Sequence, residues 1–185
     1  MEAPLTSSDR SAASEPEIGV DAFRHAMREL AGGVAVVTVG RDADITGFTA
    51  TSVVSLCASP PRIFICVSRS SASWAALQKH PCFGINLLRQ EDRAVADRFA
   101  GRDGLEGAER YRGAAWSPLR TGAPLLDTAL AALDCEVEES LARYDHAIVI
   151  GRIIAMRVRA DGPPLVYWQG DYHPFEQIVG ARKAP

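Results

Sequence analysis

Residues 34–67 read VAVVTVGRDADITGFTATSVVSLCASPPRIFICV, and this stretch decides the fold because it holds three strand-like segments in succession. Segments 34–39 and 62–67 are short apolar runs, and segment 45–56 is rich in β-branched and small residues, which favour strands. A charged turn follows the first segment and a Ser-Pro-Pro break follows the second. The stretch therefore predicts three consecutive strands of an antiparallel sheet.

Further strand-like segments follow at 82–88, 133–137, 146–158 and 165–168. The helices between the strands are few and short, near 23–30, 73–79 and 91–99, and Asp21 is expected to cap the first of them. The uninterrupted apolar run at 147–150 predicts a strand that is covered on both faces. Many strands with few helices predict a mainly β protein, an antiparallel sheet closed into a barrel. A doubly wound α/β fold is the alternative, but it needs a helix after nearly every strand.

Length and charge limit the classes of protein that fit this sequence. The chain has 185 residues, of which 47% are hydrophobic and 23% are charged, as in one globular domain. Its net charge of −3 offers no basic surface for nucleic acid or an anionic membrane. No apolar run approaches the roughly 18–20 residues that cross a bilayer, and the first residues lack the features of a secretory signal. We expect tails at 1–17 and 179–185 around a domain at 18–178.

The cysteines and histidines show no spacing typical of a metal or disulfide framework. Four cysteines, with no C-x-x-C pair, are expected to be reduced core residues, which indicates a cytoplasmic location. The four histidines are scattered, with no i, i+4 pair, so no metal site is predicted. The chain also lacks a P-loop and a G-x-G-x-x-G after a strand, so it has no Rossmann dinucleotide-binding half.

Two segments are dense in small hydroxyl residues, TGFTATSVVS at 46–55 and SRSSASW at 68–74. Taken singly, the first is typical of an edge strand and the second of a polar loop with a serine N-cap. Taken together, they offer more, because a strand that runs into a helix N-terminus presents free backbone N–H groups to an anion. Arg69 adds a guanidinium suited to phosphate, and the small side chains of 46–55 allow a flat ring to lie against the backbone. The pair predicts a flavin mononucleotide site.

The order of several motifs resembles the flavin reductase family, the small reductase components of two-component flavin-dependent monooxygenases. The similarity extends over residues 23–175. The motifs are FRxAM at 23–27, GFTATSVVSL at 47–56, SPP at 59–61, CVSRSS at 66–71, FGINLL at 83–88, RFAG at 98–101, DH at 145–146 and LxYxxGxYH at 165–173.

The resemblance implies a homodimeric FMN-binding split barrel with a few short helices, which passes hydride from NADH or NADPH to FMN or FAD. Its reduced flavin then goes to a separate monooxygenase. His146 matches the family's histidine near the nicotinamide and is the expected catalytic residue. The implied cofactor-binding residues are Thr49, Ala50, Thr51, Ser52 and Ser55 at the ring; Ser68, Arg69, Ser71 and Ser73 at the phosphate; Asn86, Leu87 and Leu88 at the ring edge; Arg98, Phe99 and Ala100 closing the pocket; and Tyr172 and His173 at the entrance.

Two other functions remain open at this point. One is an FMN-dependent oxidase of the pyridoxamine-phosphate oxidase type, and the other is a flavin-binding module without turnover. For His146 itself, the alternative is a strand-start histidine that is hydrogen-bonded by Asp145 or by the backbone. The sequence distinguishes neither NADH from NADPH nor FMN from FAD, nor a flavin substrate from a resident flavin, and it does not identify the partner oxygenase.

Overall fold

The computed structural model describes residues 18–159 and 161–175, so the tails expected at 1–17 and 179–185 lie outside the described residues. Three helices and twelve strands are described. The helices are α1 (Val20–Arg28), α2 (Ala72–Lys79) and α3 (Arg93–Phe99), with 3-10 turns at Asp42–Asp44, Gln90–Asp92 and Gly107–Tyr111. The strands are β1 (Gly32–Gly33), β2 (Ala35–Val39), β3 (Thr46–Ala50), β4 (Val53–Ala58), β5 (Pro61–Ser68), β6 (Cys82–Leu87), β7 (Trp116–Ser117), β8 (Leu125–Leu126), β9 (Ala131–Arg143), β10 (His146–Val158), β11 (Val166–Trp168) and β12 (Asp171–His173). The prediction of a mainly β protein with few helices is confirmed.

A curled seven-stranded sheet forms the centre of the fold, in the order β3-β2-β6-β9-β10-β5-β4. Each neighbouring pair is antiparallel, which excludes the doubly wound α/β alternative. Two small sheets accompany it, β1-β11-β12 and β7-β8. Within the described residues β3 and β4, the two edge strands, share no ladder.

The single strand predicted over 45–56 is wrong, because the chain breaks it into β3 and β4 at Thr51 and Ser52. These two residues carry the chain from one edge of the seven-stranded sheet to the other. Both are exposed, whereas Ala50 just before them is buried. The break therefore falls where the strand leaves the core and polar side chains reach solvent.

The core is divided into two clusters that share the central strands. Strand β2 is buried along its whole length, since Val37 packs in one cluster and Val36 in the other. Helix α3 covers the second cluster with Val95, Ala96 and Phe99. Strand β3 pairs with β2, so this packing holds β3 in place between the two clusters.

Helix α1 differs from the prediction in two respects. Its N-cap is Gly19, which makes no side-chain cap, and Asp21 lies in the first turn, so the expected Asp21 cap is wrong. None of its residues is buried, and Phe23 is 57% exposed. Its apolar face finds no covering element within the described part of the chain. No described helix is long and apolar enough to cross a membrane.

Strand β10 also departs from its prediction. Ala147 and Val149 are buried, but Ile148 and Ile150 are only half-buried, so one face of the strand is covered fully and the other in part. A β-strand alternates its side chains between faces, and the outer face of β10 has only partial cover in this chain. The expectation of complete cover on both faces is therefore wrong for the chain as described.

All four cysteines are free, as predicted. Cys82 and Cys135 are buried, Cys66 is half-buried and Cys57 is exposed. Burial raises the pKa of the Cys135 thiol to about 12, which keeps it protonated near neutral pH. The expectation that the cysteines are core residues therefore holds for Cys82 and Cys135, holds in part for Cys66 and is wrong for Cys57.

Candidate flavin-binding site

The two hydroxyl-rich segments, which are far apart in sequence, meet at one cavity of about 340 Å³. Residues 49–52 form one wall at the end of β3, and residues 66–68 with Ser71 form the other at the end of β5. His146 completes the lining. The structure thus brings together Thr49, Ala50, Thr51, Ser52, Ser68, Ser71 and His146.

The second wall is held by the passage from β5 into α2. Ser71 is the N-cap of α2; its hydroxyl accepts from the Trp74 N–H at 3.1 Å and donates to the Ser68 carbonyl at 2.7 Å. The Arg69 N–H donates to the Asp145 carbonyl at 2.9 Å, which ties this turn to the start of β10. The open N-terminal end of α2 therefore lies beside the cavity, where its N–H groups and dipole favour an anion.

The first wall belongs to an edge strand. Because β3 pairs only with β2 among the described strands, its other edge forms no ladder. Arg110 and Tyr111 already bond the carbonyls of Gly47 and Thr46, so the backbone groups available to a ligand are those nearer the end of β3. The Thr49 hydroxyl donates to the Ala96 carbonyl at 2.6 Å and so fixes β3 against α3. The end of β3 is a rigid backbone edge that a flat, polar ring can approach.

A second cavity of about 200 Å³ lies against the same end of β3. It shares residues 49–51 with the first and adds Val34, Ala100 and Arg102, together with Tyr167 and Tyr172 from the C-terminal hairpin. The residues that surround the end of β3 therefore include Ala100 and Tyr172 of the sequence-predicted set.

The Tyr172 ring is packed among cations and another aromatic ring. The guanidinium carbons of Arg93 and Arg102 lie 5.4 Å and 5.1 Å from its centroid, and the Tyr167 ring meets it at 5.5 Å. Arg102 is held by Asp97 at 2.8 Å. Burial raises the pKa of Tyr172, so its hydroxyl stays protonated at neutral pH.

His146 is half-exposed at the rim of the 340 Å³ cavity. Its Nδ1 lies 2.8 Å from Oδ1 of Asp145, and this hydrogen bond lowers the pKa of the Asp145 carboxyl. Because the carboxylate accepts, Nδ1 carries the proton and Nε2 of the neutral ring is an acceptor. The histidine thus has Asp145 as its hydrogen-bond partner, one of the two partners considered for a purely structural histidine, and it also lines the cavity.

Several sequence-predicted residues lie away from both of these cavities. Asn86 is wholly buried: its Nδ2 donates to the Val36 carbonyl at 3.0 Å, and its Oδ1 accepts from the Leu126 N–H at 2.6 Å. Leu88 and Phe99 are core residues, and Phe99 packs edge-on against Tyr111 at 5.0 Å. These three side chains support the walls of the cavities from behind.

The remaining predicted residues occupy other surroundings. The Arg69 guanidinium donates to the Tyr144 carbonyl at 2.9 Å, and Arg98 donates to the Arg110 carbonyl at 3.3 Å. His173 is 3.1 Å from the Trp168 carbonyl through Nε2. Ser55 is exposed on the edge strand β4, Leu87 is exposed at the end of β6, and Ser73 lines a neighbouring cavity.

Some lining residues were missed from the sequence. Phe48, Cys66 and Val67 are apolar members of strands, and nothing distinguishes them from core residues before the strands are paired. Arg102 follows the Arg98-Phe99-Ala100-Gly101 motif, so its nearness to a motif was the available signal. In residues 18–159 and 161–175, no group of three or more His, Cys, Asp or Glu is arranged to hold a metal ion.

The chain belongs to the family defined by the Flavin reductase like domain, which matches residues 27–176. It is 34% identical to "FMN reductase (NADH) RutF 2" of Rhizobium rhizogenes, over 94% of this chain and 99% of the relative. It is 29% identical to "Flavin-dependent monooxygenase, reductase subunit HsaB" of Rhodococcus jostii, over 83% of this chain and 77% of the relative.

The chain also shares its fold with a solved structure. The NADH:FAD oxidoreductase SgcE6 of Streptomyces globisporus, in complex with NAD and FAD fragments, superposes with a TM-score of 0.76 and 27% identity. The superposition covers 84% of this chain and 92% of that chain. The shared fold extends over nearly the whole of both proteins.

Proposed function

We propose that this protein is an NAD(P)H:flavin oxidoreductase, which transfers hydride from NADH or NADPH to FMN or FAD and supplies reduced flavin to a partner monooxygenase. The observation that carries this function is the meeting of two hydroxyl-rich segments in one cavity beside the free edge of β3. The relatives named as an NADH-dependent FMN reductase and as a monooxygenase reductase subunit support the same activity.

The residues around the end of β3 fit a flavin. The free backbone edge of β3 can bond the polar edge of an isoalloxazine ring, and residues 49–52 have side chains small enough to admit it. Ser68 and Ser71 stand at the open end of α2, which suits the ribityl phosphate. The combined volumes of about 340 Å³ and 200 Å³ fall in the range of small-molecule sites.

The bound flavin supplies a ring that accepts a hydride, so the protein itself needs no nucleophile. The chain's residues bind and orient the two reactants and exclude water from the contact between them. Tyr167 and Tyr172 supply an apolar wall on one side of β3, and His146 stands on the other. A nicotinamide bound in this space would find in Nε2 of His146 an acceptor for its carboxamide N–H.

Asp145 orients His146 in this scheme. Its carboxylate holds the Nδ1 proton, so Nε2 faces the ligand side as an acceptor. Tyr172 and His173 close the entrance. Ser55, Ser73 and Arg69 bind the outer parts of the flavin, while Asn86, Leu87, Leu88, Arg98, Phe99 and Ala100 position the walls around it.

The same proposal includes a homodimer, which completes the closure of the barrel around β3 and β4. Strand β4 leaves Val54 and Leu56 45% and 49% exposed, and the end of β10 leaves Met156 65% exposed. Exposed apolar faces of this kind are typical of subunit interfaces. The domain limits of 18–178 and a cytoplasmic location belong to this proposal as well.

Steady-state oxidation of NADH and NADPH, with FMN, FAD and riboflavin in turn, tests the function. Rapid consumption that depends on added free flavin and needs no organic donor is expected. Flavin retained during purification together with oxidation of an amine substrate would instead favour the pyridoxamine-phosphate oxidase type. Flavin binding without NADH or NADPH oxidation would favour a non-catalytic module.

A further inference from the structure

A larger cavity of about 670 Å³ adjoins the proposed flavin site. Phe48 and Ser71 line both cavities, so the two adjoin at the N-terminal end of α2. Its walls are the first half of β3, one side of α2 and the 3-10 turn Gly107–Tyr111. A ligand that passes the end of α2 in one cavity therefore enters the other.

The α2 wall of this cavity is formed mainly by small side chains. Ala72, Ala75, Ala76 and Lys79 line it, with the i, i+3, i+4, i+7 spacing of one helix face. The three alanines of that face, Ala72, Ala75 and Ala76, leave room for a planar ring against the helix. Ala72 and Ala75 are exposed, so their methyl groups serve no core packing.

Two polar side chains of α2, Ser73 and Lys79, line this cavity. Ser73 is only 3% exposed, and its hydroxyl can both donate and accept, which suits a phosphate or a ribose hydroxyl. The Lys79 ammonium is 3.7 Å from Asp44 and 64% exposed, so it is free to turn toward an anion.

Arg110 adds a fixed cation on the opposite wall. Its Nε donates to the Leu105 carbonyl at 2.8 Å, and its Nη1 donates to the Gly47 carbonyl at 2.7 Å. Glu106 lines the cavity beside it. The cavity thus combines two cations, a flat apolar face and carboxylates able to accept from ribose hydroxyls or an amino group.

On the basis of the proposed function, we infer that this cavity binds the adenylate half of FAD, with Lys79 as a specificity-determining residue for FAD over FMN. A flavin mononucleotide ends at the phosphate beside Ser71. A flavin dinucleotide continues past it, with its second phosphate near Ser73 and Lys79 and its adenine on the Ala72 and Ala75 face.

The test compares the affinities of the purified full-length protein for FMN and FAD, measured by isothermal titration calorimetry. Ala75→Phe fills the cavity from an exposed position, and Gln78→Phe is the matched control, because Gln78 is exposed on α2 and does not line the cavity. We expect the Kd for FAD to rise at least about tenfold in Ala75→Phe, with the Kd for FMN changed less than about twofold. Gln78→Phe should leave both unchanged.

Lys79→Gln removes only the charge and should raise the Kd for FAD by about tenfold, the size of one charge-assisted contact. AMP alone should compete with FAD but not with FMN in the unchanged protein. Equal shifts for FMN and FAD, or no shift in either variant, would overturn the inference. So would a rise confined to the KM for NADH with riboflavin as acceptor, since the cavity would then hold the adenylate of NADH.

These outcomes are separate from those of the proposed function. A protein that oxidises NADH with FMN, but shows no selective loss of FAD in the two variants, keeps its proposed activity and lacks this subsite. A protein that binds FAD selectively through the cavity, but oxidises neither NADH nor NADPH, keeps the subsite and is not a reductase.

Discussion

Thr49 and Asn86 lie in one row of the seven-stranded sheet, because each pairs with Val36 of β2 from opposite sides. Both were expected at the flavin, yet Thr49 lines two cavities whereas Asn86 is wholly buried and bonds backbone groups. Strand β3 is an edge and β6 is internal. The edge residue Thr49 therefore faces the cavities while its hydroxyl bonds α3, whereas Asn86, two strands further in, is enclosed and bonds backbone groups of the framework.

The largest expected effect is on stability, from Asn86→Leu. The substitution leaves the Leu126 N–H buried without its acceptor and removes a donor from the Val36 carbonyl. We expect the free energy of unfolding to fall by about 3 kcal/mol, measured by urea denaturation. The Kd for FMN of the remaining folded protein should change little. A large loss of flavin affinity with intact stability would place Asn86 at the ligand and remove the contrast with Thr49.

Ser71 sharpens the comparison, because it serves the helix and faces the cavity at once. Ser71→Asp keeps an N-cap acceptor for α2 and places a carboxylate where the phosphate is proposed to lie. The melting temperature should be preserved, while the KM for FMN rises about tenfold or more and the KM for riboflavin changes much less.

Ser71→Ala is the complementary variant. It removes the cap and should lower the free energy of unfolding by about 1 kcal/mol. Combined with Arg69→Ala, it should raise the KM for FMN more than the KM for riboflavin. An equal rise in the KM for FMN and the KM for riboflavin would contradict the proposal that the phosphate binds at this end of α2.

Thr49→Val is the edge counterpart of the Asn86 substitution. It keeps the shape of the side chain and removes the hydroxyl that donates to the Ala96 carbonyl at 2.6 Å. We expect a loss of about 1 kcal/mol in the free energy of unfolding, smaller than for Asn86, and a two- to threefold rise in the KM for flavin. Equal destabilisation by Thr49→Val and Asn86→Leu would contradict the proposed difference between a polar residue on the edge strand and one on the internal strand.

The smallest effect concerns acid stability at the cavity rim. The pKa of Asp145 lies below its ordinary value of 3.8 because His146 hydrogen-bonds to the carboxylate. A depressed carboxyl pKa adds stability that is complete above the unfolded value and is lost as the pH falls through the folded value. The melting temperature of Asp145→Asn should therefore lie slightly below that of the unchanged protein near pH 6 and approach it toward pH 3 (about one unit below the ordinary value). A gap that widens on acidification would contradict this assignment.

The strands at 35–39, 61–68, 82–87 and 146–158 could be located from the sequence within one or two residues, because apolar and β-branched runs bounded by turn residues are local signals. The break at Thr51 and Ser52 could not, since it depends on which strands β3 and β4 pair with. The hairpin strand β12 was missed for the same reason, as three residues of mixed polarity mark a strand only once β11 lies beside them.

Parts of the candidate site could be predicted where the residue types of a short segment are informative by themselves. Ser71 is a recognisable cap, and residues 49–52 are unusual in their hydroxyl density. Asn86 could not be assigned in this way. Its side-chain oxygen accepts from the N–H of Leu126, forty residues further along the chain, and no local sequence pattern distinguishes such a residue from one that contacts a ligand. Arg102 and Tyr167 reach the end of β3 only through tertiary packing.

The crossing at Thr51 and Ser52 has one more consequence. These two residues join the first and last strands of the seven, so a molecule bound against them contacts the end of β3 and the two residues from which β4 begins. A ligand bound there restrains the neighbouring ends of both edge strands. Flavin should therefore slow amide hydrogen exchange in β3 and β4 together, and its removal should raise the exchange rates of both.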